Sequence, residues 1–100
     1  MFDSNKIIEM LKSNMTHIEK YHVFKIALFG SFARNEQEAK SDIDILVEFE
    51  NGHETFDNYM DLKFYLEELF GTRVDLVIFD SFKPSLKSNI MESVIYAKGA

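Results

Sequence analysis

One hundred residues, 46% of them hydrophobic and 14% aromatic, suffice for one compact domain spanning residues 1–100 and leave no room for a second. Seventeen acidic against eleven basic residues give a net charge of −6, and the basic ones form no cluster, since 36–40 mixes signs and Lys83 and Lys87 stand apart. Such a chain repels a phosphate backbone, so no direct nucleic-acid binding is expected; a metal site or a basic protein partner suits the acidity better.

In chain order, residues 3–20 read as an amphipathic helix, with Ile7, Ile8, Leu11, Met15 and Ile18 at three- and four-residue spacing and Asp3 or Ser4 as its cap. Lys25 to Phe29 is short, apolar and followed at once by Gly30, which suits a buried strand ending in a tight turn; a short helix is placed over Ser31 to Glu36. From Asp42 to Phe49, Ile43, Ile45, Val47 and Phe49 alternate with Asp42, Asp44, Leu46 and Glu48, the period of a strand. Asn51-Gly52 then supplies a turn, Thr55 caps a helix running to Phe70, and Gly71 ends it. Arg73 to Phe79 is a third strand. Pro84 opens a last helix, whose buried stripe is Ile90, Met91, Val94 and Ile95. The expected order is α-β-α-β-α-β-α around one small sheet, an α/β or α+β architecture.

The longest apolar stretches, Ile26 to Phe29 and Leu76 to Phe79, fall far short of the roughly 20 residues that cross a bilayer. An N-terminus carrying Asp3 and Glu9 also lacks the pattern of a secretory signal, so no membrane association and a cytoplasmic location are expected. Cysteine is absent, which excludes disulfides and thiolate metal sites. Any metal must be held by oxygen or imidazole, and hard oxygen sites favour Mg2+ or Mn2+.

Asp42 and Asp44, two apart on a strand, project from one face with Cα atoms roughly 6.6 Å apart, so their carboxylates can converge on shared cations. Asp75 is a lone charge among Val74, Leu76, Val77 and Ile78; burying it unpaired costs several kcal/mol, so it must reach solvent or a cation. If the third strand lies beside the second, all three acids meet, and two divalent ions about 3.5 to 4 Å apart would neutralise them while clamping an in-line displacement at phosphorus. Gly30 lets the backbone approach a ligand closely, and the first N–H groups of the following helix, with the Ser31 hydroxyl, could cradle phosphate oxygens. Arg34, one turn on, can reach the same anion or pair with Glu36 or Glu38. Taken singly, each feature has an ordinary structural reading: a solvent-facing Asp pair, a turn, a sheet-edge carboxylate. Taken jointly, Gly30-Ser31, ten intervening residues, Asp42-Ile43-Asp44 and a later strand carboxylate are far more restrictive.

The runs Leu28-Phe29-Gly30-Ser31-Phe32-Ala33-Arg34 and Ser41-Asp42-Ile43-Asp44-Ile45-Leu46-Val47 resemble the signature of the DNA polymerase β-type nucleotidyltransferases, specifically the minimal nucleotidyltransferases similar to the MntA antitoxins. The likeness extends through Val74-Asp75-Leu76-Val77 to Lys83-Pro84. It implies the nucleotidyltransferase fold, a mixed sheet flanked by helices, with ATP as AMP donor and two Mg2+ ions. Asp42 and Asp44 would bind both metals and Asp75 the catalytic one, with Asp75 also suited to take or relay the acceptor proton; Gly30, Ser31 and Arg34 would serve the nucleotide phosphates. It further implies an antitoxin that silences a HEPN-domain toxin, within a hetero-oligomer, by adenylylating one of its tyrosines. The sequence departs from many relatives at Phe32 and Asn35, where they carry arginine and glycine. Two rival readings are a small-molecule nucleotidyltransferase acting on an antibiotic-type hydroxyl and a non-catalytic module that masks a partner. His17, His22 and His53 lack ligand spacing and read as surface or packing residues; Phe32 reads as core first, though near enough to the turn to approach a nucleotide. Tyr59, Tyr65 and Tyr96 read as ordinary helix-face residues.

Overall fold

A computed structural model describes residues 3–38, 40–79 and 93–99. Its first element, helix α1 (Ser4–Ser13), is capped by Asp3, whose carboxylate accepts from the Lys6 N–H at 2.8 Å. The expected single helix over 3–20 breaks at Asn14, which turns its amide back onto the Met10 carbonyl at 2.8 Å, so that a second short helix α2 (Met15–Ile18) and a 3-10 turn (Glu19–Tyr21) follow. His22 adopts a left-handed conformation, φ 61°, and swings the chain into strand β1 (Val23–Phe29). The apolar period is satisfied across the break, since Ile7, Leu11 and Ile18 are all fully buried.

The short helix α3 (Gly30–Ala33) stops before the predicted Glu36, because Asn35 takes φ 53°. Strand β2 (Ile43–Phe49) is followed by helix α4 (Phe56–Phe70), where the Thr55 hydroxyl accepts from the Asn58 N–H and Gly71, at φ 65°, closes the end. Strand β3 (Val74–Ile78) then pairs parallel to β2, with α4 as the crossover a parallel connection requires.

One expectation is corrected at the end of the chain. The last helix was expected to run from Pro84 through Ile90, Met91, Val94 and Ile95. The part over 80–92 lies outside the described residues, but Val94 is not helical and strand β4 (Ile95–Lys98) takes up Ile95 and Tyr96. A short apolar run fits either period, and the β-branched and aromatic residues here are completed by the open edge of β1, a tertiary partner that periodicity does not reveal. Tyr96 is therefore a strand residue opposite Ala27, not a helix-face one.

The resulting four-stranded sheet has the order β3-β2-β1-β4, with β1 antiparallel to both neighbours. This mixed sheet flanked by helices is the expected α/β class. Ile26, Leu28, Ile43, Ile45, Val47, Val74 and Leu76 from the sheet join Ile7, Leu11, Leu62, Leu66 and Phe70 from the helices in one core. Helices thus cover the face on which the odd-numbered residues of β2 project, and Asp44 belongs to the other face.

Candidate active site

The parallel register sets Asp44 directly beside Asp75, flanked by the pairs Ile43–Val74 and Ile45–Leu76. Those flanking pairs are buried, so alternation sends both carboxylates to the opposite face together. Asp42, just ahead of β2 and two residues from Asp44, retains 43% of its side-chain exposure, and Asp75 is exposed. Burial pushes the Asp44 carboxyl up from 3.8 to about 6, aided by the negative charges of Asp75 and then Asp42. Arg34 and a hydrogen bond from the Ser31 backbone N–H act the other way. The three acids, the arginine and the glycine-serine turn therefore share one electrostatic neighbourhood.

The turn reaches Asp44 through the sheet register, because Phe29, the last residue of β1, pairs with Asp44 and Gly30 follows it. Gly30 sits at φ 74°, and a Cβ there would overlap the Asp44 carboxylate, with Cγ only 2.8 Å away. Only glycine accepts both the left-handed backbone and this close approach. Arg34 is exposed and also pairs with Glu36, Nε to Oε2 3.4 Å, so the surface partner and the proximity to Asp44 coexist. Phe32 is 6% exposed and packs in the core, which removes it from any approach to a nucleotide. Asn35 holds a left-handed φ of 53°, which asparagine tolerates better than most side chains.

Three residues near the carboxylates escaped the sequence reading. Glu67 accepts from the Val74 N–H at 3.1 Å, and the Tyr59 hydroxyl donates to the Leu76 carbonyl. Both come from α4 and grip the residues on either side of Asp75, satisfying the outer edge of β3, which meets no further strand among the described residues. Tyr59 and Glu67 looked only like members of a helix pattern; no local signal marks a side chain that will meet a strand edge. Arg73, with Nε 3.9 Å from Asp42 Oδ1, has a mostly exposed guanidinium and a weak contact at most.

Among the described residues, no three His, Cys, Asp or Glu side chains form a ready-made metal-ligating group. The donor set nevertheless fits a hard divalent cation: all three groups are carboxylates, and after burial it is the negative charge of Asp75 and Asp42 that raises the Asp44 carboxyl, a charge that a cation would relieve. Mg2+ ordinarily binds through one or two carboxylates and completes its shell with water and substrate phosphates, so an open arrangement suits it. The hollow on the same sheet face lined by Ala27, Leu46, Glu48, Phe79 and Tyr96 lies farther along β2, away from the acids.

The sheet order, the crossover helix and the in-register carboxylates define a small enzyme of the nucleotidyltransferase class, and the chain belongs to the family described as the nucleotidyltransferase domain, which it matches over residues 6–97. Protein adenylyltransferase MntA of Thermococcus cleftensis is 40% identical over 78 residues, covering 78% of each chain. A solved structure of a candidate minimal nucleotidyltransferase superposes with a TM-score of 0.80 at 31% identity, covering 94% of this chain and 95% of that one. A toxin-antitoxin structure with AMP-PNP superposes with a TM-score of 0.69 at 27% identity, covering 99% of this chain and 75% of that one. Among the described residues, no helix is long and apolar enough to cross a membrane.

Proposed function

We propose that this enzyme transfers AMP from ATP to a hydroxyl on a partner protein, a tyrosine of a HEPN-domain toxin, and so acts as the antitoxin of the pair. The observation that carries the reading is the register pairing of Asp44 with Asp75 beside a glycine that leaves room for nothing but the Asp44 carboxylate. Support for the donor and for the partner comes from the relatives: one is named a protein adenylyltransferase, and a structural neighbour is a toxin-antitoxin assembly with an ATP analogue.

In the proposed reaction the acceptor oxygen attacks the α-phosphorus in line, a new oxygen–phosphorus bond forms, and the bond to the β-phosphate oxygen breaks to release pyrophosphate. Asp42, Asp44 and Asp75 would hold divalent ions, two Mg2+ or Mn2+, which supply charge neutralisation for the triphosphate and acidify the acceptor hydroxyl. Asp75, exposed at the edge strand, takes the proton of the attacking hydroxyl. Asp44, fixed in the sheet between β1 and β3, sets the geometry of the acid group. Ser31 and Arg34 would meet phosphate oxygens; their closeness to the site supports this, since the Ser31 N–H and the Arg34 charge both act on the Asp44 carboxylate.

The test is to incubate the protein with Mg2+, ATP and its neighbouring HEPN-type toxin and to weigh the toxin intact. Addition of one or more AMP masses, lost when Asp44→Asn replaces the wild type, is expected. An unmodified toxin whose ribonuclease activity is nonetheless blocked would replace this reading with that of a masking module.

A further inference from the structure

On the far side of the sheet from the carboxylates, α2, the 3-10 turn and α4 enclose an open groove lined by His17, Tyr21, Asp61, Phe64, Tyr65 and Glu68. Three rings cluster there: His17 stacks on Tyr65 with centroids 4.2 Å apart, and Tyr21, tilted by 38° and 5.8 Å from Tyr65, bonds its hydroxyl to His17 Nε2 at 3.2 Å. Along α4, Asp61, Phe64, Tyr65 and Glu68 follow the spacing of one helix face, directed away from the buried Leu62, Leu66 and Phe70. Phe64 is 58% exposed, a large apolar ring left in water at the rim.

The charge of the groove is one-sided. Among the described residues neither Asp61 nor Glu68 has an ion-pair partner. Their field is nonetheless felt inside: after burial, it is Asp61 and Glu68 that hold the Tyr21 hydroxyl above its usual range, and after burial Tyr21 and then Glu68 raise Tyr65. In a chain with a net charge of −6, these two carboxylates thus stand beside a cluster of rings with no counter-charge among the described residues.

We infer that this groove is a docking site for an arginine-bearing segment of a partner protein, with a guanidinium stacked on the outward side of the Tyr21, His17 and Tyr65 cluster and held by Asp61 and Glu68. Planarity favours arginine over lysine, because a guanidinium stacks on rings while its fork bonds carboxylates, whereas an ammonium is a compact, strongly hydrated charge. Phe64 and Leu69 offer the apolar rim that a leucine beside such an arginine would cover. The inference goes beyond nucleotidyl transfer and does not rest on it: the groove and the carboxylates lie on opposite faces of the sheet, and binding alone is the readout.

The probe is the blocked peptide Ac-Arg-Leu-Leu-Arg-amide, with lysine and glutamate counterparts, titrated into the labelled full chain and followed by amide and aromatic NMR shifts. The arginine peptide is expected to move resonances of Tyr21, Phe64, Tyr65 and Glu68 with an affinity on the order of millimolar. The lysine peptide should bind more weakly and the glutamate peptide not at all. The double variant Asp61→Asn, Glu68→Gln changes only exposed side chains and should weaken arginine-peptide binding about tenfold. Shifts centred on the carboxylate face, equal binding of arginine and lysine peptides, or binding unchanged in the double variant would overturn the proposal. Concentration-dependent self-association removed by Phe64→Ser would also overturn it, since a second copy of the chain would then be the occupant.

Discussion

The two faces of strand β2 divide the labour of the molecule. Ile43, Ile45 and Val47 are fully buried against the helices, whereas Asp44, one residue away from two of them, shares its face with Asp75 and carries a carboxyl raised to about 6. One face gains stability by excluding water; the other concentrates like charges, which stability alone would disperse. Substitutions on the two faces should therefore have opposite signatures: on the first the loss is mainly of stability, on the second it is mainly of activity.

Ile45→Ala strikes the first face. Losing a fully buried side chain at the centre of the sheet should cost about 3 kcal/mol, read from the denaturant midpoint, with transfer per folded molecule unchanged. An equal loss of specific activity in the folded fraction would break the division. Gly30→Ala strikes the second. The new methyl group must displace the Asp44 carboxylate and strain a positive φ, and a shift of about 1 Å at a reacting group costs on the order of a hundredfold in kcat. Wild-type kcat in that variant would show that the close approach of turn and carboxylate is irrelevant to turnover.

Asp44→Asn sharpens the comparison through pH. Because the folded-state pKa of Asp44 lies above its ordinary 3.8, the fold favours the protonated form; its contribution is full below about pH 4 and is lost as pH rises through about 6. Without metal, the asparagine variant should therefore melt higher than the wild type above pH 6, and the gap should close as pH falls toward 4. Allowing for solvent screening at this partly exposed group, the gap is about 1 kcal/mol, or a few degrees in Tm. A wild type that melts higher at pH 7.5 would contradict the crowding of the acids. The smallest effect is expected of Tyr59→Phe, which deletes the bond to the Leu76 carbonyl at the edge of β3 and should cost about 1 kcal/mol or less. Its kcat should fall more than its stability if that bond helps to aim Asp75; a change in stability alone would limit Tyr59 to holding the strand.

The contrast also explains what the sequence could disclose. Asp42, Asp44 and Asp75 were legible because a charge in an apolar strand is locally anomalous, and Gly30 because a glycine between strand and helix has few uses. Thr55 and Gly71 mark the limits of α4 by chemistry that acts within one turn. Strand β4 was not legible, since Ile95 and Tyr96 owe their conformation to the edge of β1, nearly seventy residues earlier in the chain. The break at Asn14 was hidden because burial of Ile7, Leu11 and Ile18 preserves a helical period through a discontinuity. The hold of Tyr59 and Glu67 on β3 likewise exists only once α4 is docked beside that strand.

The most direct measurement of the central claim follows the fate of each phosphate. With Mg2+ and the HEPN-type partner, ATP labelled at the α-phosphate should leave its label on the partner, ATP labelled at the γ-phosphate should not, and Asp44→Asn should transfer neither. Retention of the γ-label, or undiminished α-labelling by the Asp44→Asn variant, would contradict nucleotidyl transfer by this trio of carboxylates.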